Sequence, residues 1–262
     1  MKWISQNISL SLIGTVSIFS ILLILPFFSS AYSQEEKISE YTDMPGVKYL
    51  IGHGILKDPP TKSNLGIIAK NCVDRTLPIV NWSNCNFSGA NLNHANLHRS
   101  NLSNINLEHA NISRAYFYFT NLVGANLQNS LMIDTQLAEA DLTGANLRNS
   151  NGQFVNLNGA ILVGADLSGA NMKNGAFMGA NFTNAKLSGV NFSYTDMSYA
   201  DFTGADLSGA NLSEALLKGS ILRNANLWHA NLHDADIKGV DLTGANLHCN
   251  SHPICFRGII TK

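Results

Sequence analysis

The ten residues VGADLSGANM, Val163–Met172, nearly repeat themselves after five. The period extends far beyond them. From Phe87 to Leu247 an apolar residue stands at every position ending in 2 or 7, through 33 pentads without an insertion, and only Gly152 breaks the series. Two residues earlier, at positions ending in 0 or 5, the residue is small or β-branched throughout, from Cys85 and Ala90 to Ala245. Between these two stands Asn or Asp in 25 of the 33 pentads. Repetition on this scale decides the architecture before any local propensity is weighed.

A period of five suits neither ordinary element. On an α-helix, five residues advance about 500°, so successive leucines step about 140° and share no face. On a flat strand an odd period sends them to opposite faces. What remains is a coil in which each pentad forms a short edge and then turns a corner. The leucine and small positions point inward on every edge, and the other three point out. Gly124, Gly144, Gly164 and Gly204, each two residues after the central apolar residue, mark the corner, because Gly accepts backbone conformations that other residues resist. The chain is a solenoid.

Strings such as ADLSGANL and DLTGANL resemble the pentapeptide-repeat proteins, whose motif is A(D/N)LXX. The resemblance covers Asn86 to Leu247 in one unbroken register. It implies an all-β fold, a right-handed quadrilateral β-helix with four pentads per coil. Residues 20 apart then stack, and the pentads make about eight coils, roughly 40 Å long at a spacing of ~4.8 Å. Three details fit this stacking. Gly152 falls between Met132 and Met172, flexible side chains suited to filling a gap. Phe182 stacks on Phe202. Outside, Lys186 falls between Asp166 and Asp206, which reads as a charge ladder along neighbouring edges.

The ends differ in composition. Lys2 precedes an uncharged, mainly apolar run over residues 8–28, followed by SSAYSQEE. Residues 1–33 read as a signal peptide cleaved before Gln34, with Ala31 and Ser33 at the sites the peptidase inspects, or as a membrane anchor, since the run is long enough to span a bilayer. Residues 34–76 are expected to form a tether and cap, with Ser63 opening a short helix through Lys70 and with Leu65, Ile67, Ile68 and Trp82 covering the first coil. Residues 77–248 are the β-helix. Residues 249–262, with Phe256, Ile259 and Ile260, read as the second cap.

The four cysteines lie at the ends of the coil. Local disulfides, Cys72 with Cys85 and Cys249 with Cys255, are the simplest reading for an exported chain. Free thiols are a second reading. A zinc set of His248, Cys249, His252 and Cys255 is a third, opposed by an oxidising compartment and by the restriction Pro253 places on the backbone.

Nothing in the pattern points to catalysis or to a cofactor. The repeat itself accounts for the abundant Ser and Asn, and Asp196, Asp201 and Asp206 occupy its Asn/Asp slot. His94, His98, His109, His229 and His233 all fall on outward positions. The exception to the pattern is AYFYFTNL. Phe117 fills the inward slot, whereas Tyr116, Tyr118 and Phe119 face out together, with Tyr199 on the same side as Phe119 four coils away. Clustered exposed aromatics mark a partner surface or a patch covered by a cap or tail.

With 45% hydrophobic and 13% charged residues and a net charge of −1, the chain can bury a continuous core and has no charge signature of a nucleic-acid or membrane-surface binder. Two functions follow. One is an exported, non-enzymatic structural or protein-interaction module, in the periplasm or a thylakoid lumen, touching a membrane only through an uncleaved N-terminus. The other comes from the family resemblance: a cytoplasmic DNA mimic that binds gyrase, a role that demands strong acidity and no export signal.

Overall fold

The computed structural model describes residues 79–256. The signal or anchor, the tether, the Ser63 helix, Leu65, Ile67, Ile68, Cys72, Ile259 and Ile260 lie outside the described residues, as does the side chain of Phe256.

A pentad with Asn or Asp in its slot can find an acceptor for all five of its backbone N–H groups. In Asp166–Ala170 the first N–H reaches back to the Ala145 carbonyl at 2.9 Å. The second and fourth, on Leu167 and Gly169, reach forward to Lys186 and Ser188 at 2.8 and 2.9 Å. The fifth, on Ala170, closes a turn onto the Leu167 carbonyl at 2.9 Å. That leaves the third, on Ser168, and the Asp166 side chain accepts it through Oδ1 at 3.0 Å. A short acceptor two residues upstream is what this turn needs, and Asn and Asp are the residues that supply one. Of the 25 Asn and Asp in the slot, 24 make this bond, at 2.9–3.5 Å. The exception is Asn151, just before Gly152, whose Oδ1 is buried without a partner.

The first residue of each pentad also pairs in parallel with the residue 20 further on, from Asn81 with Asn101 to Asn226 with Asn246. Four pentads therefore make one coil. Each edge pairs through a single residue, so the β character lies in isolated parallel bridges between coils rather than in extended strands. The four faces are led by Asn81, Asn86, Asn91 and Asn96 and their successors at intervals of 20. At the C-terminal end Asn231 pairs with Asn250, a step of 19, so the coil runs past residue 248 and slips by one as the repeat ends. A short 3-10 helix, Pro253–Phe256, follows.

The second and fifth positions fill the interior. Leu167 is fully buried and Ala170 is 1% exposed, and the same holds along nearly the whole coil. Phe182 lies flat on Phe202, with ring centroids 4.8 Å apart and planes 3° apart. A Cβ at Gly152 would come within 2.6 Å of the Met172 sulfur and 3.3 Å of Met132, so these methionines fill the gap the glycine leaves. Several inward hydroxyls are turned onto carbonyls, as where Thr120 donates to Leu97 at 2.8 Å and Thr135 to Ile112 at 2.9 Å.

Two expectations are corrected. Trp82 is not a cap over the coil. It fills the inward second position of the first described pentad, 3% exposed, with its ring 4.6 Å from Phe87. Lys186 does stand in register between Asp166 and Asp206, but it joins no ion pair among the described residues. Asp166 is taken by Arg148 at 3.3 Å, and Asp206 accepts Asn226 Nδ2 at 2.9 Å.

Ala210→Leu should destabilise the coil by ~1–3 kcal/mol through overpacking, because Ala210 is fully buried. Asn191→Ala should remove about 1 kcal/mol through the lost turn acceptor, which holds the Ser193 N–H at 3.1 Å. Ser168→Ala should have little effect. Denaturant melts of the three variants check the ranking, and equal tolerance at all three positions would contradict it.

Candidate functional site

Because the interior is closed, whatever the coil recognises must meet the outward first, third and fourth positions. The fourth position carries a backbone cost. In all 33 pentads from Asn84 to Gly244 it has φ between 53° and 73°, the left-handed region, and 20 of these residues are not glycine. Asn, Asp and His tolerate that conformation, whereas bulky side chains are outliers there. Phe119, Phe154, Tyr194 and Tyr199 are such outliers, and each is at least half exposed. Each of them thus combines a strained backbone with exposed apolar area.

Phe119 belongs to a cluster. Tyr116 is 45% and Phe119 57% exposed, and Tyr118 between them is half-buried. The two tyrosine rings stack at 6.2 Å. Tyr118 donates its hydroxyl to Gln136 Oε1 at 3.0 Å, which ties it to the next coil. Arg99, one coil earlier, lies over the Phe119 ring with its guanidinium carbon 5.7 Å from the centroid. At the other corner of the face the tyrosines border a cleft of about 220 Å³, lined by His94, Arg114, Tyr116, Tyr118, Asp134 and Gln136. His94, Arg114 and Asp134 are successive fourth-position residues in one column, so the stacking itself assembles this wall.

Tyr199 stands apart. It is 60% exposed and on the same corner as Phe119, but four coils away, ~19 Å at the usual edge spacing. Its ring lies against Gly219, where a Cβ would come within 2.8 Å of the ring. The structure does not bring it into the cluster.

A second aromatic column escaped the sequence reading. Phe154 and Tyr194 occupy one corner two coils apart, and Lys173 Nζ sits 5.0 Å from the Tyr194 ring centroid. A hydrogen bond to Glu214, with its charge, raises the Tyr194 phenol above its ordinary value. The signal was available: reading the turn residues in columns of 20 would have aligned the two rings.

The histidines singled out in the sequence are all outward. His109 approaches Glu108 at 3.7 Å and His233 approaches Asp234 at 3.3 Å. Asp196 and Asp201 hold the N–H groups of Ser198 and Thr203, the structural task of the slot. Cys249 and Cys255 are bonded to each other, which leaves no thiolate for a metal. Cys85 is also disulfide-bonded. No group of residues suited to a metal occurs among the described residues.

The model of the family described as Pentapeptide repeats matches in eight copies, over residues 80–108, 90–129, 110–149, 135–174, 177–213 and 210–248. The chain belongs to the pentapeptide-repeat family. No curated protein matches it. Among solved structures, a plasmid-mediated fluoroquinolone resistance protein, QnrB1, is 22% identical over 65% of this chain and 87% of its own, with a TM-score of 0.48. HetL, involved in heterocyst differentiation regulation in the cyanobacterium Nostoc, is 29% identical over 64% of this chain and 83% of its own, with a TM-score of 0.26. A pentapeptide repeat protein from the Arabidopsis thaliana thylakoid lumen is 30% identical over 38% of this chain and 70% of its own, with a TM-score of 0.37.

Two carboxyls of the slot are lowered below their ordinary value. Hydrogen bonds from the Thr243 hydroxyl and N–H, then from Arg223, push the Asp241 carboxyl down to about 2. Burial works the other way at Asp166, but hydrogen bonds from Ser168 and Arg148 outweigh it and lower that group too. A carboxyl lowered by folding contributes stability above its unfolded value near 4, and that contribution is lost as pH falls through the folded value. Stability should therefore fall between pH 4 and pH 2, and Asp241→Asn should flatten part of the loss. Melts across that range check it. A carboxyl titration by NMR placing Asp241 near 4 would contradict the assignment.

Proposed function

We propose that this chain is an exported, non-enzymatic module that binds a protein partner through Tyr116, Tyr118 and Phe119. The single observation behind this reading is the aromatic cluster. Three successive outward positions carry large rings on a coil whose outward positions are mostly amides, hydroxyls and glycine. One ring, Phe119, also sits on a left-handed residue, where it is costly. Rigid, half-exposed aromatics beside a shallow cleft are the usual anchors of a protein interface.

The disulfide between Cys249 and Cys255 supports export, because such bonds persist in oxidising compartments. It fits the N-terminal signal and a periplasmic or lumenal destination. A gyrase-binding DNA mimic draws no support from the charge distribution. The 12 acids of the described coil fall three to each face, beside eight Lys and Arg, so no face presents a continuous acidic track.

Fractionation of tagged protein, followed by crosslinking in the compartment found, tests the reading. Recovery of a partner should fall in the Tyr116→Ser/Tyr118→Ser/Phe119→Ser variant while its melting curve stays unchanged. If the variant instead loses stability and keeps every partner, the rings are a covered structural patch and the reading fails.

A further inference from the structure

The aromatic face is flanked by cations that no carboxylate among the described residues pairs with. Of the four described arginines, Arg148 pairs with Asp166 and Arg223 with Asp241. Arg99 and Arg114, at opposite corners of the Tyr116–Tyr118–Phe119 face, join no ion pair among the described residues. Arg114 lines the cleft, and Arg99 rests on Phe119. Two acids border them on the C-terminal side, and neither forms an ion pair with them. Asp134 Oδ1 accepts Gln136 Nε2 at 3.4 Å. Glu139 lies toward Gly159, where a Cβ would meet its Oε1 at 2.5 Å.

The imbalance is regional. Residues 79–133 carry Arg99 and Arg114 against the single acid Glu108, which lies on a different face beside His109. Residues 134–256 carry 11 acids against six Lys and Arg. The aromatic face thus lies toward the less acidic end of the described coil.

On the reading that this face binds a protein, we infer that its ligand is an extended acidic polypeptide segment. Its carboxylates meet Arg99 and Arg114, and an apolar side chain between them lies on the tyrosine rings. Guanidinium is suited to this, because its planar fork takes a carboxylate through two parallel hydrogen bonds. Tyr116 and Tyr118 supply the apolar floor, and the Gln136 amide, already ordered by Tyr118 and by Asn156 Nδ2 at 3.1 Å, is held at the edge of the cleft. A long polyanion such as a nucleic acid is disfavoured, because the acidic remainder of the rod repels whatever extends beyond the face.

The test uses the chain without residues 1–33 and a fluorescent synthetic peptide, Glu-Asp-Phe-Asp-Glu, against its amide analogue, Gln-Asn-Phe-Asn-Gln. The acidic peptide should bind, weaken with added salt and outcompete the analogue. Arg99→Gln and Arg114→Gln should each weaken binding by about tenfold, as for a lost charge-assisted hydrogen bond, whereas Lys238→Gln on a distant coil should not. Equal binding of both peptides, or no effect of either arginine change, overturns the inference but leaves the aromatic interface standing. Tighter binding of a thymidine oligonucleotide overturns it in favour of nucleic acid. If deleting residues 34–43 raises the affinity, the chain's own acidic segment competes for the same face, which supports that face's preference for acidic polypeptide. If neither peptide binds and crosslinking is also indifferent to the aromatic triple variant, the interface reading falls as well.

Discussion

Everything in this molecule depends on the fate of one backbone N–H, the third in each pentad. The other four are taken by neighbouring coils or by the turn itself, as in Asp166–Ala170. The third points into the turn, where no carbonyl is available, and an Asn or Asp two residues before it supplies the missing acceptor. That requirement fixes the amide or carboxylate slot between the two inward residues. The slot is why the pattern reads A(D/N)L and why it tolerates Leu131, Ile161 or Leu216 only occasionally. A buried or half-buried N–H left without an acceptor costs free energy comparable to a lost hydrogen bond.

The same turn forces the fourth residue into left-handed backbone, and the residues there answer that constraint differently. Glycine answers the constraint at 13 of these positions, and at some of them the neighbouring coil leans over it. Gly124, Gly204 and Gly244 each lie beneath the side-chain oxygen of an Asn one coil earlier, where a Cβ would come within 2.3–2.4 Å of that oxygen. Asn, Asp and His answer it elsewhere. A phenylalanine or tyrosine does not, so Phe119, Phe154, Tyr194 and Tyr199 are residues the fold tolerates rather than uses. The closed core holds these rings in columns with a regular spacing.

Much of this was legible in the sequence because the constraint acts locally and repeats. Facing, the Met132–Gly152–Met172 packing and the Phe182–Phe202 stack all follow from the period of five and a coil of 20. What was not legible depends on where long side chains finally rest. Lys186 stands in register with two aspartates, yet Arg148 and Asn226 reach them instead. Trp82 looked like a lid because it precedes the regular leucines, but the coil begins early enough to enclose it. The cleft beside Tyr116 escaped notice because its wall, His94, Arg114 and Asp134, is spread over 40 residues of chain. The one-residue slip at Asn250 likewise breaks the repeat without any proline or glycine to announce it.

Residue-resolved amide hydrogen exchange tests the central constraint most directly. Third-position amides preceded by an aspartate, such as Ser168 and Ser208, have a side-chain acceptor. Those of Val163 and Ser188 follow Ile161 and Lys186, which offer none. The account predicts slow exchange at Ser168 and Ser208, faster exchange at Val163 and Ser188, and selective acceleration at Ser168 in Asp166→Ala. Indistinguishable protection at all four amides would contradict it.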